Sequence, residues 1–590
     1  DTGYDVKFYG ATGGAYMLWD QSADDLILAG AGGLVVAGNV DFNGDLDVDG
    51  TTNLDVVDID GAVDMASTLT VAGNITQTTG DLLYSGGINW DIKHTVAGQN
   101  IVFSTTPSGG STTERFRIAQ DGSLSTATAG TSNVRFGANA GNSIASGGNY
   151  NVVIGDEAGT AITTGDSNVA VGTYALDANT TASDNTAIGY ASLSANITGT
   201  GNVASGFRAL QFNTTANNNT AVGFYALYAN TTGTRNTALG NNSLDANTTA
   251  SDNTAVGSAA LGLNTTGANN VAIGSLALDA NTTASDNVAI GTLSLSSNTT
   301  GNLNVAVGGQ SLKANTVGDR SVAIGYQALA AQNPSSNADM YNTAAGYQAG
   351  NDVTTGVQNT LIGGLAGDAL TDADYNTAIG FQTLSTDTLG SRSTAVGFEA
   401  LRTQNFTSAT DAYNTALGFQ AGAAVSTGIR NTLIGGLAGD ALTDADKNTA
   451  VGQGALSTDT LGNLSVAIGY DALSVQNFTS ATDSYNTAVG PFAGASVTTG
   501  TLNTLLGGLT GDALTTGNNN TALGMASLGN DTQGSKSTAV GVAALYEQNF
   551  TSATDSFNTA VGYNAGTSVT TGANNTIIGG LSGDAITTGS

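Results

Sequence analysis

Glycine recurs at intervals of 17 residues through the greater part of this 590-residue chain. The glycines belong to the motif N-[TV]-A-[VIL]-G, and ten of them follow one another without a change of interval. They are Gly172, Gly189, Gly206, Gly223, Gly240, Gly257, Gly274, Gly291, Gly308 and Gly325. Gly155 and Gly137 extend the series backwards, the latter after a step of 18. So constant a period indicates one small structural unit repeated many times, not a set of unrelated globular domains.

Beyond Gly325 the interval between glycines changes. One step of 21 residues followed by three steps of 17 now makes a super-repeat of 72 residues. The four extra residues of each longer step, here called the insert, lie in QNPSSNADMYNTA, QNFTSATDAYNTA, QNFTSATDSYNTA and QNFTSATDSFNTA. With this second regime the series contains 26 repeat glycines. Those of the second regime are Gly346, Gly363, Gly380, Gly397, Gly418, Gly435, Gly452, Gly469, Gly490, Gly507, Gly524, Gly541, Gly562 and Gly579.

Each unit has a fixed apolar pattern around its glycine. In the ten units from Gly172 to Gly325, Ala stands two residues before every glycine and Leu stands four residues after it. Val, Ile or Leu directly precedes nine of the ten glycines, and Asn stands four residues before nine of them. Side chains alternate between the faces of a strand. The Ile or Val therefore shares a face with the preceding Thr or Val, and the small Ala and Gly share the other.

This pattern predicts an all-β fold, a parallel β-solenoid or β-roll of 17-residue coils. A helix would need ten or more residues with apolar spacings of three and four and little glycine. Each unit instead offers two strands of four to five residues and two Asn- and Gly-containing turns. Equivalent residues of successive coils would lie about 4.8 Å apart, so that 26 coils would span roughly 125 Å. The Asn residues before the glycines would form a ladder of stacked amides.

Two arrangements of the coils are compatible with the pattern. A coil with Ala and Gly on one face buries little by itself, which favours an intertwined homotrimer whose chains contribute Ile, Val and Leu to a shared interior. A solenoid formed by a single chain is the alternative. The period does not distinguish the two, and the small face favours the trimer.

Composition excludes several classes of partner. The chain carries 46 acidic and 14 basic residues, for a net charge of −32. A nucleic-acid backbone requires a basic surface, so we expect no nucleic-acid binding. No apolar run approaches 18 residues, so we expect no membrane insertion. Cysteine is absent, which removes disulfides and thiolate metal sites.

A few acidic motifs are candidates for calcium. DLDVDG, with Asp45, Asp47 and Asp49, matches the beginning of a calcium loop, but Val56 stands where such a loop has Glu. The turn sequence GDALTDAD contains Asp368 and, one super-repeat later, Asp440. Stacked acids at this position, continued by Asp512 and Asp584, would repel one another unless hydrated or bridged by cations. Solvated acidic strands and turns are the favoured interpretation, and no other cofactor is expected.

Catalytic chemistry has little support in the residues. The only histidine, His94, lies in the alternating segment WDIKHTVAG, which is typical of a surface strand. Aromatic residues follow the repeat glycines with the period of the coil, which indicates packing and not a sugar-binding cleft. We therefore expect no enzyme and predict no catalytic residue. The Asn-x-Thr sequences at Asn179 and Asn247 arise from the repeated NTT turn and are weak indicators of glycosylation.

Two resemblances follow from these strings. NVAVGTYALDANTTASDNTAIGYASL and SVAIGYQAL are similar to the head repeats of YadA-like trimeric adhesins, and the similarity covers residues 133–590. It implies a left-handed parallel β-roll of three chains, although the unit here is longer. GYDVKFYGATGGAYMLWDQSADDLIL at 3–28, the shaft-like stretch at 39–76 and TERFRIAQDGSLSTAT at 113–128 resemble tail-fibre and virion proteins of tailed phages.

These observations divide the chain into five expected segments. They are an N-terminal β segment at 1–38, a shaft-like β region at 39–85, a small β connector at 86–132, the 17-residue repeats at 133–341 and the 72-residue super-repeats at 342–590. Ser590 falls just short of a new coil, so we expect a tip, a cap, more coils or a cleaved chaperone beyond it.

The resemblances imply a fibre of a phage particle, located in the virion, that supports host-cell recognition as a stiff trimeric spacer. Its partners would be two further copies of itself, a host cell-surface glycan or protein receptor, and other virion proteins at the N-terminal end. A bacterial cell-surface adhesin or extracellular filament subunit of the same architecture is the alternative. A polysaccharide-depolymerising tailspike is less favoured, because paired carboxylates would also need a cleft with aromatic platforms for the sugar, and the aromatics here recur with the period of the coil.

Overall fold

The computed structural model describes residues 6–11, 13, 16–20, 25–29, 37, 101–105, 113–118, 124–125 and 129–589. Within these ranges every regular element is a β-strand, which confirms the all-β prediction. The chain divides into two compact units, Asp1–Ile92 and Lys93–Ser590. The expected shaft at 39–85 lies outside the described residues, and the five-segment division of the chain stays a prediction.

The N-terminal unit contains one antiparallel sheet of three strands in the order β1-β2-β3. Its strands are β1 (Val6–Tyr9), β2 (Tyr16–Asp20) and β3 (Asp25–Ala29).

The second unit begins with another three-stranded antiparallel sheet, in the order β4-β5-β6. Its strands are β4 (Ile101–Thr105), β5 (Thr113–Ile118) and β6 (Leu124–Ser125).

The rest of the second unit is a parallel β-solenoid of 26 coils, and each coil contributes one strand of three residues. These strands are β7 (Val134–Phe136), β8 (Val152–Ile154), β9 (Val169–Val171), β10 (Thr186–Ile188), β11 (Val203–Ser205), β12 (Thr220–Val222), β13 (Thr237–Leu239), β14 (Thr254–Val256), β15 (Val271–Ile273), β16 (Val288–Ile290), β17 (Val305–Val307), β19 (Val322–Ile324), β21 (Thr343–Ala345), β22 (Thr360–Ile362), β23 (Thr377–Ile379), β25 (Thr394–Val396), β27 (Thr415–Leu417), β28 (Thr432–Ile434), β29 (Thr449–Val451), β31 (Val466–Ile468), β33 (Thr487–Val489), β34 (Thr504–Leu506), β35 (Thr521–Leu523), β37 (Thr538–Val540), β39 (Thr559–Val561) and β40 (Thr576–Ile578). Each strand pairs in parallel with the equivalent strand of the next coil, for example Ala187 opposite Ala204.

The four inserts add short parallel pairs beside this stack, each joining an insert to the coil before it. The strands concerned are β18 (Gly318–Asp319) with β20 (Ala338–Asp339), β24 (Gly390–Ser391) with β26 (Thr410–Asp411), β30 (Gly462–Asn463) with β32 (Thr482–Asp483), and β36 (Gly534–Ser535) with β38 (Thr554–Asp555). The main stack continues past every insert in register, as the pairing of Thr394 with Thr415 shows. The inserts therefore project from a solenoid whose own period is unbroken.

Each coil closes its own hydrophobic core. In the coil of Gly172, Ala170, Ala175 and Leu176 are fully buried within the single chain. The equivalent Leu and Ala residues of the following coils are also fully buried, which makes one continuous apolar core along the solenoid. The small Ala of the strand faces inward because the Leu fills the narrow interior opposite to it.

The sequence predicts that the Ile, Val or Leu before each glycine faces an interior shared by three chains. In the structure this residue instead lies on the outer surface of the coil. Ile188 and Ile273 point outward and are 43% and 39% exposed. The Ala side of the strand, which suggested contact with another chain, is covered by the coil's own Leu and Asn side chains. The outward Ile, Val and Leu positions are thus the ones left for any second chain.

The prediction of a second strand in each unit is wrong, because the segment after the glycine forms a turn. Tyr174 and Leu176 have φ of 58° and 54°, in the left-handed region that ends an extended strand. This conformation costs about 1–2 kcal/mol in a non-glycine residue. Burying a Leu side chain contributes about 1.5–3 kcal/mol, which offsets that cost. Backbone pairing continues through the turn, since the Leu176 N–H donates to the Ser192 carbonyl at 3.0 Å.

The predicted asparagine ladder is confirmed at the position four residues before the glycine. Asn168 and Asn185 are fully buried. The Asn168 side-chain Oδ1 accepts the backbone N–H of Asn185 at 3.1 Å, so each amide contacts the next coil. The Asn168 Nδ2 donates to the Ala182 carbonyl at 3.0 Å, which fixes the turn of the same coil. The ladder satisfies polar groups that the narrow core would otherwise bury without partners.

A second ladder lies at the asparagine of the NTT turn, seven residues after the glycine. Asn179 and Asn247 are fully buried members of it. The Asn196 Nδ2 donates to the Asn179 Oδ1 at 3.0 Å, and the same bond recurs between successive coils. These residues are inaccessible in the folded chain, so neither Asn179 nor Asn247 is a glycosylation site of the folded protein.

Candidate functional site

The calcium candidates fall in two places. Asp45, Asp47 and Asp49 lie outside the described residues. Asp368 and Asp440 lie five residues after their glycines, on turns, and each has one carboxylate oxygen without a hydrogen-bond partner in the described part of the chain. Four coils separate them, so they lie about 19 Å apart at the spacing of parallel strands and cannot share an ion. Within the described ranges no cluster of three or more His, Asp or Glu side chains could hold a metal.

The buried turn carboxylates have perturbed pKa values. Burial raises the pKa of Asp368 to about 6, and the nearby negative charge of Asp352 adds to the shift. Burial also raises the pKa of Asp440 and of Asp512 at the equivalent positions. The physical cause is desolvation, which disfavours the ionised form.

This shift predicts that acidification stabilises the solenoid. The pKa of Asp368 is higher in the folded than in the unfolded state, so the folded state binds the proton more tightly. The resulting gain in stability is absent above pH 6, appears as the pH falls towards 4, and is complete below the unfolded pKa. We expect the melting temperature to rise between pH 7 and pH 4, and the Asp368→Asn variant to melt higher than wild type at pH 7 but equally at pH 4. A constant difference between the two proteins across this range would contradict the assignment.

An apolar stripe runs along the outer face of the stacked strands. It consists of the residue before each glycine and the residue after it, for example Ile188 and Tyr190, both 43% exposed. Its other large exposed members include Phe207, Phe224, Leu239, Ile273, Ile290, Ile324, Tyr326, Tyr347, Ile362, Phe381, Phe398, Leu417, Phe419, Ile468, Tyr470, Leu523 and Met525. Most coils contribute a large exposed apolar residue, so the stripe follows the stack along its length, and extended apolar surfaces of this kind mark interaction sites.

The aromatic members of the stripe stack on one another. The rings of Tyr190 and Phe207 lie 5.3 Å apart with an interplanar angle of 13°, and Phe207 and Phe224 lie 5.2 Å apart at 12°. Phe398 and Phe419 repeat this geometry in the super-repeats at 5.4 Å and 9°. Where two rings stack, each covers one face of the other, and a ring at the end of a stack, such as Tyr347 beside Gly364, has no ring on its other face.

Each of the last three inserts rests on a buried carboxylate that the sequence analysis missed. Asp459 is fully buried and belongs to the second ladder position. Its Oδ1 accepts the backbone N–H groups of Gly462 at 3.0 Å and of Phe478, in the insert, at 3.2 Å. Its Oδ2 accepts the Gln476 Nε2 at 2.6 Å. Asp387 and Asp531 make the same three bonds in their own super-repeats.

Burial raises the pKa of Asp459, and its hydrogen bonds, the largest from Gln476, lower that pKa by a smaller amount. The glutamine that donates to it also joins the two ladders, because its Oε1 accepts the Asn486 Nδ2 at 2.9 Å. The insert is thus tied to the core by a connected hydrogen-bond network.

The first insert lacks this arrangement, and its sequence shows why. Pro334 stands where Phe406, Phe478 and Phe550 stand in the other inserts. Proline has no N–H to donate. The coil before it carries Asn315 in place of the aspartate, and the Asn315 Nδ2 donates to the Gly318 carbonyl at 2.9 Å. The carboxylate is therefore present only where the insert supplies an N–H for it to accept.

A cation, a carboxylate and an aromatic ring surround three of the four inserts. The Arg392 Nε donates to the Asp411 carboxylate at 2.9 Å, and its guanidinium lies 5.8 Å from the Tyr413 ring centre. Lys536 pairs with Asp555 at 2.7 Å and lies 5.0 Å from the Phe557 ring centre. These exposed ion pairs contribute little to stability, typically about 0–1 kcal/mol. Their main effect is to place a charged pair and an aromatic ring on the surface beside each of these inserts.

No family model, no curated protein and no solved structure matches this chain. Among the described residues no helix is long and apolar enough to cross a membrane. The functional assignment therefore depends on the geometry of the solenoid, its stripe and its inserts.

Proposed function

We propose that the chain is a structural and adhesive fibre of a phage particle, a stiff trimeric spacer that supports recognition of the host cell. The observation that carries the proposal is the uninterrupted solenoid of 26 coils with one apolar stripe along its outer face. A long stack with continuous backbone pairing between its coils resists bending. The resemblance of the N-terminal segments to phage fibres supports a place in the virion, with other virion proteins at that end.

The outer stripe supports association of the chain with copies of itself. Its residues recur with the period of the coil, so three identical chains in register would bring equivalent residues together at every level. Burying the stripe would remove apolar surface from water at about 25 cal/mol per Å². A homotrimer around this stripe accounts for its length better than contact with a globular partner, which would cover only a few coils.

Trimerisation is tested by mass. We expect light scattering to give about three times the chain mass of 58.3 kDa. Replacing Ile188, Leu239 and Ile290 of the stripe by Lys should place charges in the interface and yield the monomer. The matched control replaces Thr181, Thr232 and Thr249, which are exposed on a turn of the coil, by Lys and should leave the trimer intact. A monomeric wild type would refute the trimer.

Location is tested separately. Antibodies against the solenoid should label the tails of phage particles in electron micrographs. Labelling of bacterial surfaces without particles would favour the alternative, a bacterial cell-surface adhesin or extracellular filament subunit of the same architecture.

A further inference from the structure

The tips of the last three inserts are identical although they are exposed. Residues 407–411, 479–483 and 551–555 all read TSATD. Some exposed coil positions differ between the same three super-repeats, for example Gln358, Arg430 and Leu502, although the exposed threonines at 355, 427 and 499 are also identical. The tips differ from the coils in that a whole run of five residues, most of them exposed, is identical, which indicates a constraint that acts on the run.

Packing accounts for only part of this identity. Thr410 and Asp411 form the short β26 pair with the preceding coil, so their side of the tip is structural. Thr407, Ser408 and Ala409 are exposed. In the part of the chain that the structure describes, the hydroxyls of Thr407 and Ser408 have no hydrogen-bond partner, and the same holds at 479–480 and 551–552. Free hydroxyls kept in three copies are available to an external partner.

Each tip is anchored at both of its ends by hydrogen bonds to the preceding coil. The Phe478 side chain is 5% exposed, and its N–H is bound by Asp459. The Ser484 N–H on the other side of the tip donates to the Asn463 carbonyl at 3.0 Å. A loop fixed at both ends loses little conformational entropy when it binds, which favours affinity.

We infer that these three tips are equivalent binding sites for a neutral, repeating polysaccharide. The inference rests on the proposed adhesive function and names the receptor class and the residues that contact it. Each site comprises the two free hydroxyls, the neighbouring carboxylate and an exposed ring, in one case Thr407, Ser408, Asp411 and Tyr413.

The chemistry of the tip selects this class of partner. A side-chain hydroxyl both donates and accepts, which matches the hydroxyls of a sugar. The chain's net charge of −32 disfavours a polyanion. Tyr413 is 49% exposed, and unlike the aromatics of the stripe it is not stacked on another ring of its own column. Its contacts are instead with the Arg392 guanidinium and, through its hydroxyl, with the Asp411 carboxylate at 3.4 Å, which leaves part of the ring available.

The spacing of the tips suits a repeating ligand. Four coils separate successive tips, so they lie about 19 Å apart on one side of the solenoid. A shallow site binds one short stretch of sugar weakly. Three such sites on one chain bind a polymer jointly, and linked sites of this kind gain about 10²–10⁴ in affinity over one site.

The test is binding of the full chain to immobilised dextran, mannan and galactan, with alginate and heparin as acidic counterparts. We expect binding to at least one neutral polymer and to neither acidic one. A variant with Thr407→Val, Ser408→Ala, Thr479→Val, Ser480→Ala, Thr551→Val and Ser552→Ala removes only free hydroxyls. It should lose about 100-fold in affinity, and variants of a single tip should lose less.

The matched control removes exposed hydroxyls from the coils, with Thr181→Val, Thr232→Val and Thr249→Val, and should bind as wild type does. Unchanged binding by the tip variant would overturn the inference and leave the adhesive function standing. Binding to no neutral polymer, or a preference for the acidic ones, would overturn it as well. The mass of the same preparations reports on the trimer independently of these outcomes.

Discussion

Replacing Gly435 by alanine is expected to destabilise the solenoid strongly. Gly435 has φ of 133°, which side-chain-bearing residues rarely adopt, and a Cβ there would lie 2.5 Å from the Gly452 carbonyl oxygen of the next coil. The backbone conformation costs about 1–3 kcal/mol, and overpacking adds a similar amount. We expect a loss of roughly 2–5 kcal/mol, measured as a lower urea midpoint and as faster amide exchange in the coils around the substitution.

The adjacent glycine is a matched control. A Cβ on Gly436 would meet no atom within 4 Å, and its φ is not in the positive range. Gly436→Ala should leave the urea midpoint unchanged or raise it slightly, because alanine restricts the unfolded chain. Equal effects of the two substitutions would contradict the assignment of the cost to the backbone conformation of Gly435 and its contact with the next coil.

The sequence was sufficient for the architecture because the period and the small set of residue types at each position leave few alternatives. Leu176, Asn168 and Gly172 each have one role per coil, and that role repeats. Which face of the strand is directed towards the core is harder to predict. Alternation shows that Ile188 and Ala187 lie on opposite faces, but only the position of the Leu side chain decides which face is inside. Because Leu193 fills the interior of that coil, the small Ala187 faces it and Ile188 is directed outward.

The buried carboxylates could not be predicted in this way, because two of the three partners of each come from the following coil. Asp459 interacts with Gln476 and Phe478 of the following unit, and nothing within its own unit marks it as buried. One signal was present in the sequence. The first insert has proline after its Gln-Asn and asparagine at the ladder position, whereas the other three have phenylalanine and aspartate. This covariation inside a single chain indicates a contact between the two positions.

Removing the carboxylate of Asp459 is the second change with a large expected effect. Asp459→Ala leaves three N–H groups in a buried site without an acceptor, those of Gly462 and Phe478 and one of the two on the Gln476 amide, whose other N–H still donates to Ser465. An unsatisfied buried donor costs about 1–3 kcal/mol. We expect a loss of about 3 kcal/mol or more, with amide exchange of Phe478 accelerated more than that of the adjoining strand β31. Asp483→Ala, an exposed acid of the same insert, is the control and should change stability by less than about 1 kcal/mol.

A double-mutant cycle separates the energy of the hydrogen bond between Asp459 and the Phe478 N–H from the other costs of replacing either residue. Asp459→Asn and Phe478→Pro together reproduce the pair that Asn315 and Pro334 form in the first insert. An asparagine at 459 can donate to the Gly462 carbonyl as Asn315 does to Gly318, and a proline at 478 needs no acceptor. Each single change should therefore destabilise more than it does in the presence of the other, with a coupling of about 0.5–3 kcal/mol. Strictly additive effects would mean that Asp459 does not hold the insert through the Phe478 N–H, and the covariation would then have no contact behind it.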